Sequence, residues 1–239
     1  MSKPPAQPIQ GLIDGLSVMQ ELALSKEPVS SLALARKLGL ETTKVNRLLK
    51  TLSYLGMAQQ VKGRAYVTGP GIHVLAAQTL NASGLIQHAL PYLEALHQHQ
   101  MVVALGVLWR DQVSYLYHWK PEMTPGQAIG SMIFPATESS IGRVLLAELS
   151  EDMLQKFLDD CSQNENKEIF KRDVKSILVN KYAVVQDGSN SSISVKLGQP
   201  GYAGLALSGD IPPGAMEKYV QLLRATAEQI ESSMHTSKH

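Results

Sequence analysis

In the stretch ETTKVNRLLKTLSYLG, residues 41–56, hydrogen-bonding side chains collect on one side of a helical repeat. Thr43, Asn46, Arg47 and Lys50 stand at steps of three and four, the spacing that lines up one face of an α-helix. This set of residue types can read a nucleic-acid duplex. Arg can donate two parallel hydrogen bonds to guanine, Asn can pair with the edge of adenine, and Thr and Lys donate to phosphate oxygens. Thr42 and Lys44 flank the set and join it as candidate contacts. Lys62 and Arg64 bracket Gly63 further on, placed to meet the flanking backbone or minor groove from the tip of a hairpin.

A reading helix must be held by something. Val45, Leu48, Leu49, Leu52 and Leu55 form an apolar stripe opposite the polar one. The segment before it, SSLALARKLGL, predicts a second helix with Ser30 or Ser31 as N-cap, Leu34, Ala35 and Leu38 turned inward and Gly39 as the stop. Residues 12–25 predict a first helix, with Leu12, Leu16, Met19 and Leu22 near helical spacing. MAQQVKGRAYVTG reads as two short strands around Lys62-Gly63. Three helices and a hairpin, the third helix carrying the polar face, fit a helix-turn-helix that lies in the major groove.

Charge supports the division. The chain of 239 residues has a net charge of +1, but residues 1–80 hold nine Lys and Arg against four Asp and Glu, a balance of +5. The remainder stands at −4. A basic amino-terminal part joined to an acidic remainder points the first part at a polyanion.

Beyond two connecting helices, near 71–81 and 84–99 with NASG between them, the pattern changes. MVVALGVLW and QVSYLYHW predict a hairpin about Arg110-Asp111, and QAIGSMIF a third strand. Helices follow at SSIGRVLLAEL, EDMLQKFLDD and KRDVKSILVNKY, then strands at SISVKL and YAGLALSG, then a closing helix from PGAMEKYV onward. This is an α+β layout, with helices grouped between the strands of one sheet.

Residues 31–71 resemble the winged helix-turn-helix of the IclR family of bacterial transcription regulators. The resemblance is carried by Leu34-Ala35, Leu38-Gly39-Leu40, Val45, Arg47-Leu48-Leu49, Leu52, Leu55-Gly56 and the wing-like GRAYVTGPG. PATESSIGRVLLAELS, KYAVVQDG, SISVKL and AGLALSG are similar to later segments of the same family. The resemblance implies a winged helix-turn-helix DNA-binding domain over residues 1–71, a linker helix over 72–83 and a GAF-like domain with an antiparallel sheet and flanking helices over 84–239. It implies a small-molecule effector in that last domain, and a homodimer or tetramer, joined partly through the first helix, on a pseudo-palindromic operator in double-stranded DNA.

In the family, backbone amides at the start of the helix after the third strand hold an effector carboxylate. The matching positions are Ser140 and Ile141, followed by Gly142. Capping of that helix by Ser139 or Ser140 explains the same serines equally well. Ser192 and Ser208 match two polar pocket positions on the late strands. Ala206 stands at a third family serine position and Val185 at a usual aspartate position, so a more apolar effector than a small acid, or no effector, is also consistent with the sequence.

Other chemistry has little to work with. His97 and His99 are two apart and point to different helix faces. His73, His88 and His118 are scattered, and Cys161 lies in a polar stretch with no evident base. GQPGYAG lacks the Lys-Ser/Thr of a phosphate loop. Trp109 and Trp119 bracket a hairpin and read as packing residues. No catalytic residues, metal site or cofactor are expected. No apolar run approaches the length of a membrane span, and MSKPPAQP lacks the apolar core of a secretion signal, so the expected compartment is the cytoplasm. Two rival functions remain at this stage, an enzyme built on the α+β domain and a winged-helix protein-interaction adaptor. An adaptor surface would present aromatic or aliphatic side chains rather than Arg, Lys and Thr.

Overall fold

The computed structural model describes residues 6–160 and 165–236. Cys161 lies outside the described residues. The chain divides into two compact units, one ending at Ser83 and the other running from Gly84.

The first unit contains α1 (Gln10–Leu24), β1 (Val29–Ser30), α2 (Ser31–Leu38), α3 (Thr42–Tyr54), β2 (Ala58–Gln60), β3 (Ala65–Thr68) and α4 (Pro70–Ser83). Ser30 caps α2 by accepting from the Ala33 amide at 3.2 Å. Gly39 ends it at φ 65, a left-handed conformation that costs a residue without Cβ nothing and lets α3 begin three residues later. The core is Val18, Leu22, Leu34, Ala35, Val45, Leu49, Ala58 and Tyr66.

Two sequence expectations change here. α1 packs through Asp14, Val18 and Leu22, not through a stripe of four hydrophobic residues. Leu12 is 59% exposed, and Ile9, Ile13 and Leu16 are exposed with it. On α3, Leu55 falls past the helix end and is exposed, so Val45 and Leu49 carry the burial, with Leu48 and Leu52 half-buried. The hairpin gains a third strand, since Val29 and Ser30 pair with Tyr66 and Ala65 in the order β1-β3-β2.

The second unit contains α5 (Leu85–Ala95), β4 (Val102–Trp109), β5 (Gln112–Trp119), α6 (Pro125–Ala128), β6 (Ile129–Pro135), α7 (Ser140–Leu146), α8 (Glu151–Asp160), α9 (Glu165–Asn180), β7 (Tyr182–Asp187), β8 (Asn190–Leu197), β9 (Ala203–Gly209) and α10 (Met216–Thr236). The strands form one antiparallel sheet in the order β6-β5-β4-β9-β8-β7. Strand alternation sorts the side chains between two cores. Val103, Leu105, Ile193, Val195, Leu205 and Leu207 meet α5 and α10 on one face. Ala104, Ala183 and Ala206 meet α7 on the other, together with Phe170 and Ile177 of α9. The α7 face of the sheet is built from small residues, which lets the helix sit close. A Cβ on Gly204 would come within 2.7 Å of the Ile141 side chain. No helix among the described residues is long and apolar enough to cross a membrane.

Candidate nucleic-acid interface and effector site

On α3, Thr43, Arg47 and Lys50 are exposed, while Thr42 and Asn46 are half-buried. Thr43, Arg47 and Lys50 lie across the helix from Val45 and Leu49, which are fully buried, with Asn46 at the edge of that face and Thr42 on the buried side at the first turn. Among the described residues no ion pair engages the side chain of Arg47, Lys50, Lys62 or Arg64. Lys62 and Arg64 are exposed in a single helical turn, Lys62–Arg64, between β2 and β3. The helix and the hairpin tip of this unit therefore both present cations to solvent.

Lys44 stands apart. Its ammonium is ion-paired with Asp14 of α1, and Gln10 donates to the other carboxylate oxygen at 2.8 Å. The pair satisfies Lys44 within its own unit and ties α3 to α1. Lys44 joined the DNA-contact candidates as a flanking cation, and its partner was missed because the i to i+4 pattern of Gln10 and Asp14 gives no sign of what crosses from another helix. Sequence reading also passed over Tyr54. It follows Lys50 by four and Arg47 by seven, so it belongs to the same helical face, and it is 88% exposed.

In the second unit, three of the four expected effector residues come together. Ser140 at the start of α7 and Ser192 on β8 have their hydroxyls 2.8 Å apart, and Ser208 on β9 donates to Ser192 at 2.7 Å. Ser192 and Ser208 are direct cross-strand partners, which explains their meeting. Ile141 is different. Its side chain is fully buried against Gly204 and Gly106. Ser139, not Ser140, caps α7, accepting from the Gly142 amide at 3.2 Å, and its hydroxyl is 2.8 Å from that of Tyr115. Burial raises the pKa of the Tyr115 phenol above its ordinary value, against a smaller lowering by Ser139.

Beside this hydroxyl chain lies a cavity of about 380 Å³ lined by Arg143, Ile169, Asp173, Val184, Val185 and Gln186. Val185 is the cross-strand partner of Ser192, so the cavity and the serines are neighbours on the sheet. Arg143 is only 3% exposed; its Nε donates to the Thr137 carbonyl at 2.7 Å, and Asp173 lies 3.5 Å from its Nη1. Burial lowers the Arg143 pKa and Asp173 counters part of that. The site thus offers hydroxyls, a guanidinium and apolar valine and isoleucine walls.

Four histidines and both tryptophans find structural partners. His97 stacks on Trp119 with ring centroids 3.7 Å apart, and its Nε2 is 2.8 Å from the Tyr117 hydroxyl. Trp119 is buried as expected, but Trp109 is exposed, with the Arg110 guanidinium 5.3 Å from its ring centre. Among the described residues no group of three or more His, Cys, Asp or Glu is placed to hold a metal ion.

A helix-turn-helix with a strand-built wing, followed by a unit with one antiparallel sheet and flanking helices, defines a two-part α+β architecture. Residues 14–62 match the IclR helix-turn-helix domain. The chain is similar in structure to an IclR family transcriptional regulator from Brucella abortus, with 22% identity, a TM-score of 0.79 and 98% of this chain covering 95% of that one. It is similar to an IclR transcriptional regulator from Alicyclobacillus acidocaldarius, with 21% identity, a TM-score of 0.72 and coverages of 95% and 100%. An IclR homolog from Microbacterium hydrocarbonoxydans, solved in complex with 4-hydroxybenzoate, is 20% identical with a TM-score of 0.69, covering 95% of this chain and 99% of its own. No curated protein matches the sequence. Residues 14–62 thus carry the IclR helix-turn-helix domain, and over nearly its whole length the chain shares the fold of the IclR structures it is similar to.

Proposed function

We propose that the protein is a sequence-specific, DNA-binding transcription regulator of the cytoplasm, acting as a homodimer or tetramer and controlled by a small-molecule effector. Residues 1–71 serve as the winged helix-turn-helix, 72–83 as the linker helix and 84–239 as the effector domain. The observation that carries this reading is the exposed face of α3, where Thr43, Asn46, Arg47 and Lys50 stand together over buried Val45 and Leu49. Arg47 and Asn46 read base edges, while Thr42, Thr43 and Lys50, with Lys62 and Arg64 of the wing, hold phosphates. Lys44 acts from behind, by fixing α3 to α1 through Asp14. The role is regulatory rather than catalytic.

The exposed row of Ile9, just before α1, with Leu12, Ile13 and Leu16 on it suits pairing of two copies, which would set two reading helices on one pseudo-palindrome. The effector is assigned to the hydroxyl chain of Ser140, Ser192 and Ser208, the α7 start at Ile141 and the adjoining cavity. Its leverage on DNA binding equals its differential affinity for the two arrangements of the reading helices.

The test is recovery of genomic fragments bound at physiological salt. An inverted repeat, its half-sites about one helical turn apart, is the expected result; fragments with no common sequence would overturn the reading. For the second unit, 4-hydroxybenzoate is the first probe, given the Microbacterium relative solved with it. A rise in unfolding temperature with wild-type protein that is lost in Ser192→Ala supports the site. An equal rise in both proteins removes the hydroxyl chain from ligand binding.

A further inference from the structure

Tyr54 is the last residue of α3 and among the most exposed hydrophobic side chains of the described chain. At 100° per residue, eleven residues separate Tyr54 from Thr43 by about 20° around the helix axis. Thr43, Asn46, Arg47, Lys50 and Tyr54 therefore form one continuous face, and Tyr54 continues it beyond Lys50. Along the axis, the same eleven residues span about 16 Å. The major groove is about 12 Å wide. A helix of that length set across the groove brings its two ends against the two walls.

Resting on the DNA-binding reading above, we propose that the Tyr54 hydroxyl donates to a phosphate on the groove wall opposite the one met by Thr43, so that α3 is clamped between both strands. Among the described residues no hydrogen bond engages that hydroxyl within the protein. Tyrosine suits the position physically. The carbonyl end of a helix carries partial negative charge and repels a phosphate. A long side chain with a neutral donor keeps the phosphate at a distance from those carbonyls and still fixes the helix's register in the groove. An aromatic ring lying along the sugar edge also shields the bond from water. Contacts of this kind set position and carry no sequence information.

The experiment compares wild type, Tyr54→Phe, Tyr54→Ala and Lys50→Ala by fluorescence anisotropy, on a recovered operator and on a random duplex over a range of salt. The exposure of Tyr54 leaves the fold of both Tyr54 variants intact, which thermal unfolding verifies. Tyr54→Phe is expected to weaken binding to both duplexes by the same factor, about three- to tenfold, as loss of one net hydrogen bond requires. Its salt slope stays at the wild-type value, because a neutral donor releases no counterion, whereas Lys50→Ala flattens the slope by about one. Wild-type affinity in Tyr54→Phe overturns the proposal, and so does a loss confined to Tyr54→Ala, which would assign the ring and not the hydroxyl. A changed sequence preference assigns a base contact instead, and a changed mass in sedimentation assigns a protein contact; either overturns it. If wild type itself selects no sequence, the DNA-binding reading fails and Tyr54 falls with it. If wild type selects and Tyr54→Phe is unaltered, Tyr54 alone is removed.

Discussion

The ammonium of Lys44 on α3 is held by the carboxylate of Asp14 on α1, whose side chain is only 6% exposed. Hydrogen bonding from Lys44, then from Gln10, holds the Asp14 pKa below the ordinary aspartate value, with burial opposing. A depressed carboxylate stabilises the fold fully above its unfolded pKa, near 4, and the contribution disappears as pH falls through the lower folded value. Asp14→Asn should therefore unfold more easily than wild type at pH 6, by about 1.5–3 kcal/mol as for a hydrogen bond to a charged group. The gap should shrink toward pH 3. Denaturant titrations at the two pH values measure it, and a gap of constant size would detach the pair from the stability of this unit.

The same pair separates Lys44 from its neighbours on the helix. Arg47→Ala should weaken operator binding by about 1–3 kcal/mol and relax the preference at one base pair. Lys62→Ala should weaken all duplexes alike and reduce the salt slope by about one. Lys44→Ala should lower thermal stability and leave the slope near wild type. Operator titrations at several salt concentrations sort the three. A Lys44→Ala slope matching that of Lys62→Ala would return Lys44 to the DNA surface.

The exposed side of α1 makes a prediction about assembly. Ile9, Leu12, Ile13 and Leu16 leave apolar surface in water, and burying one such side chain stabilises an association by about 1.5–3 kcal/mol. Leu12→Glu should weaken self-association at least tenfold without affecting the core of Val18 and Leu22. Sedimentation across a concentration series reads the change. An unchanged mass distribution would place the protomer contact elsewhere.

Legibility in the sequence followed the range of the interactions. Ser30, Leu34, Ala35, Gly39, Val45 and Leu49 could be placed because caps, stops and helical stripes are written within one or two turns of chain. Resemblance placed Ser192 and Ser208 at two pocket positions; that they meet has its physical cause in strand register, which local pattern does not specify. α1 misled because its hydrophobic residues exceed what one buried side can take, and spacing does not say which side is buried. Arg143 lay unremarked within GRVLLAEL, because a lone cation in an apolar helix reads as surface until α9 and the Thr137 carbonyl close around it. Tyr54 continues the spacing of the polar face one turn beyond Lys50, but its type does not mark it as a phosphate contact in the sequence.

The closeness of α7 to its surroundings gives the sharpest stability test. Gly142 sits where α7 meets the segment after β6, and a Cβ there would lie 2.1 Å from the Ala136 carbonyl oxygen. That oxygen belongs to the backbone, so it cannot swing aside as a flexible side chain would. The helix must shift or the 135–139 turn must open, and overpacking of this kind costs about 1–3 kcal/mol or more. Any shift also displaces Ser139, which caps α7, and Ser140, which reaches Ser192. Gly142→Ala should accordingly lower the unfolding temperature of the second unit and abolish the effector-induced rise, while residues 14–62 keep their affinity for a random duplex. Gly214→Ala, where a Cβ meets nothing within 4 Å, serves as the control and should be nearly neutral. Equal unfolding temperatures for the two variants would mean that α7 sits further from Ala136 than these distances require.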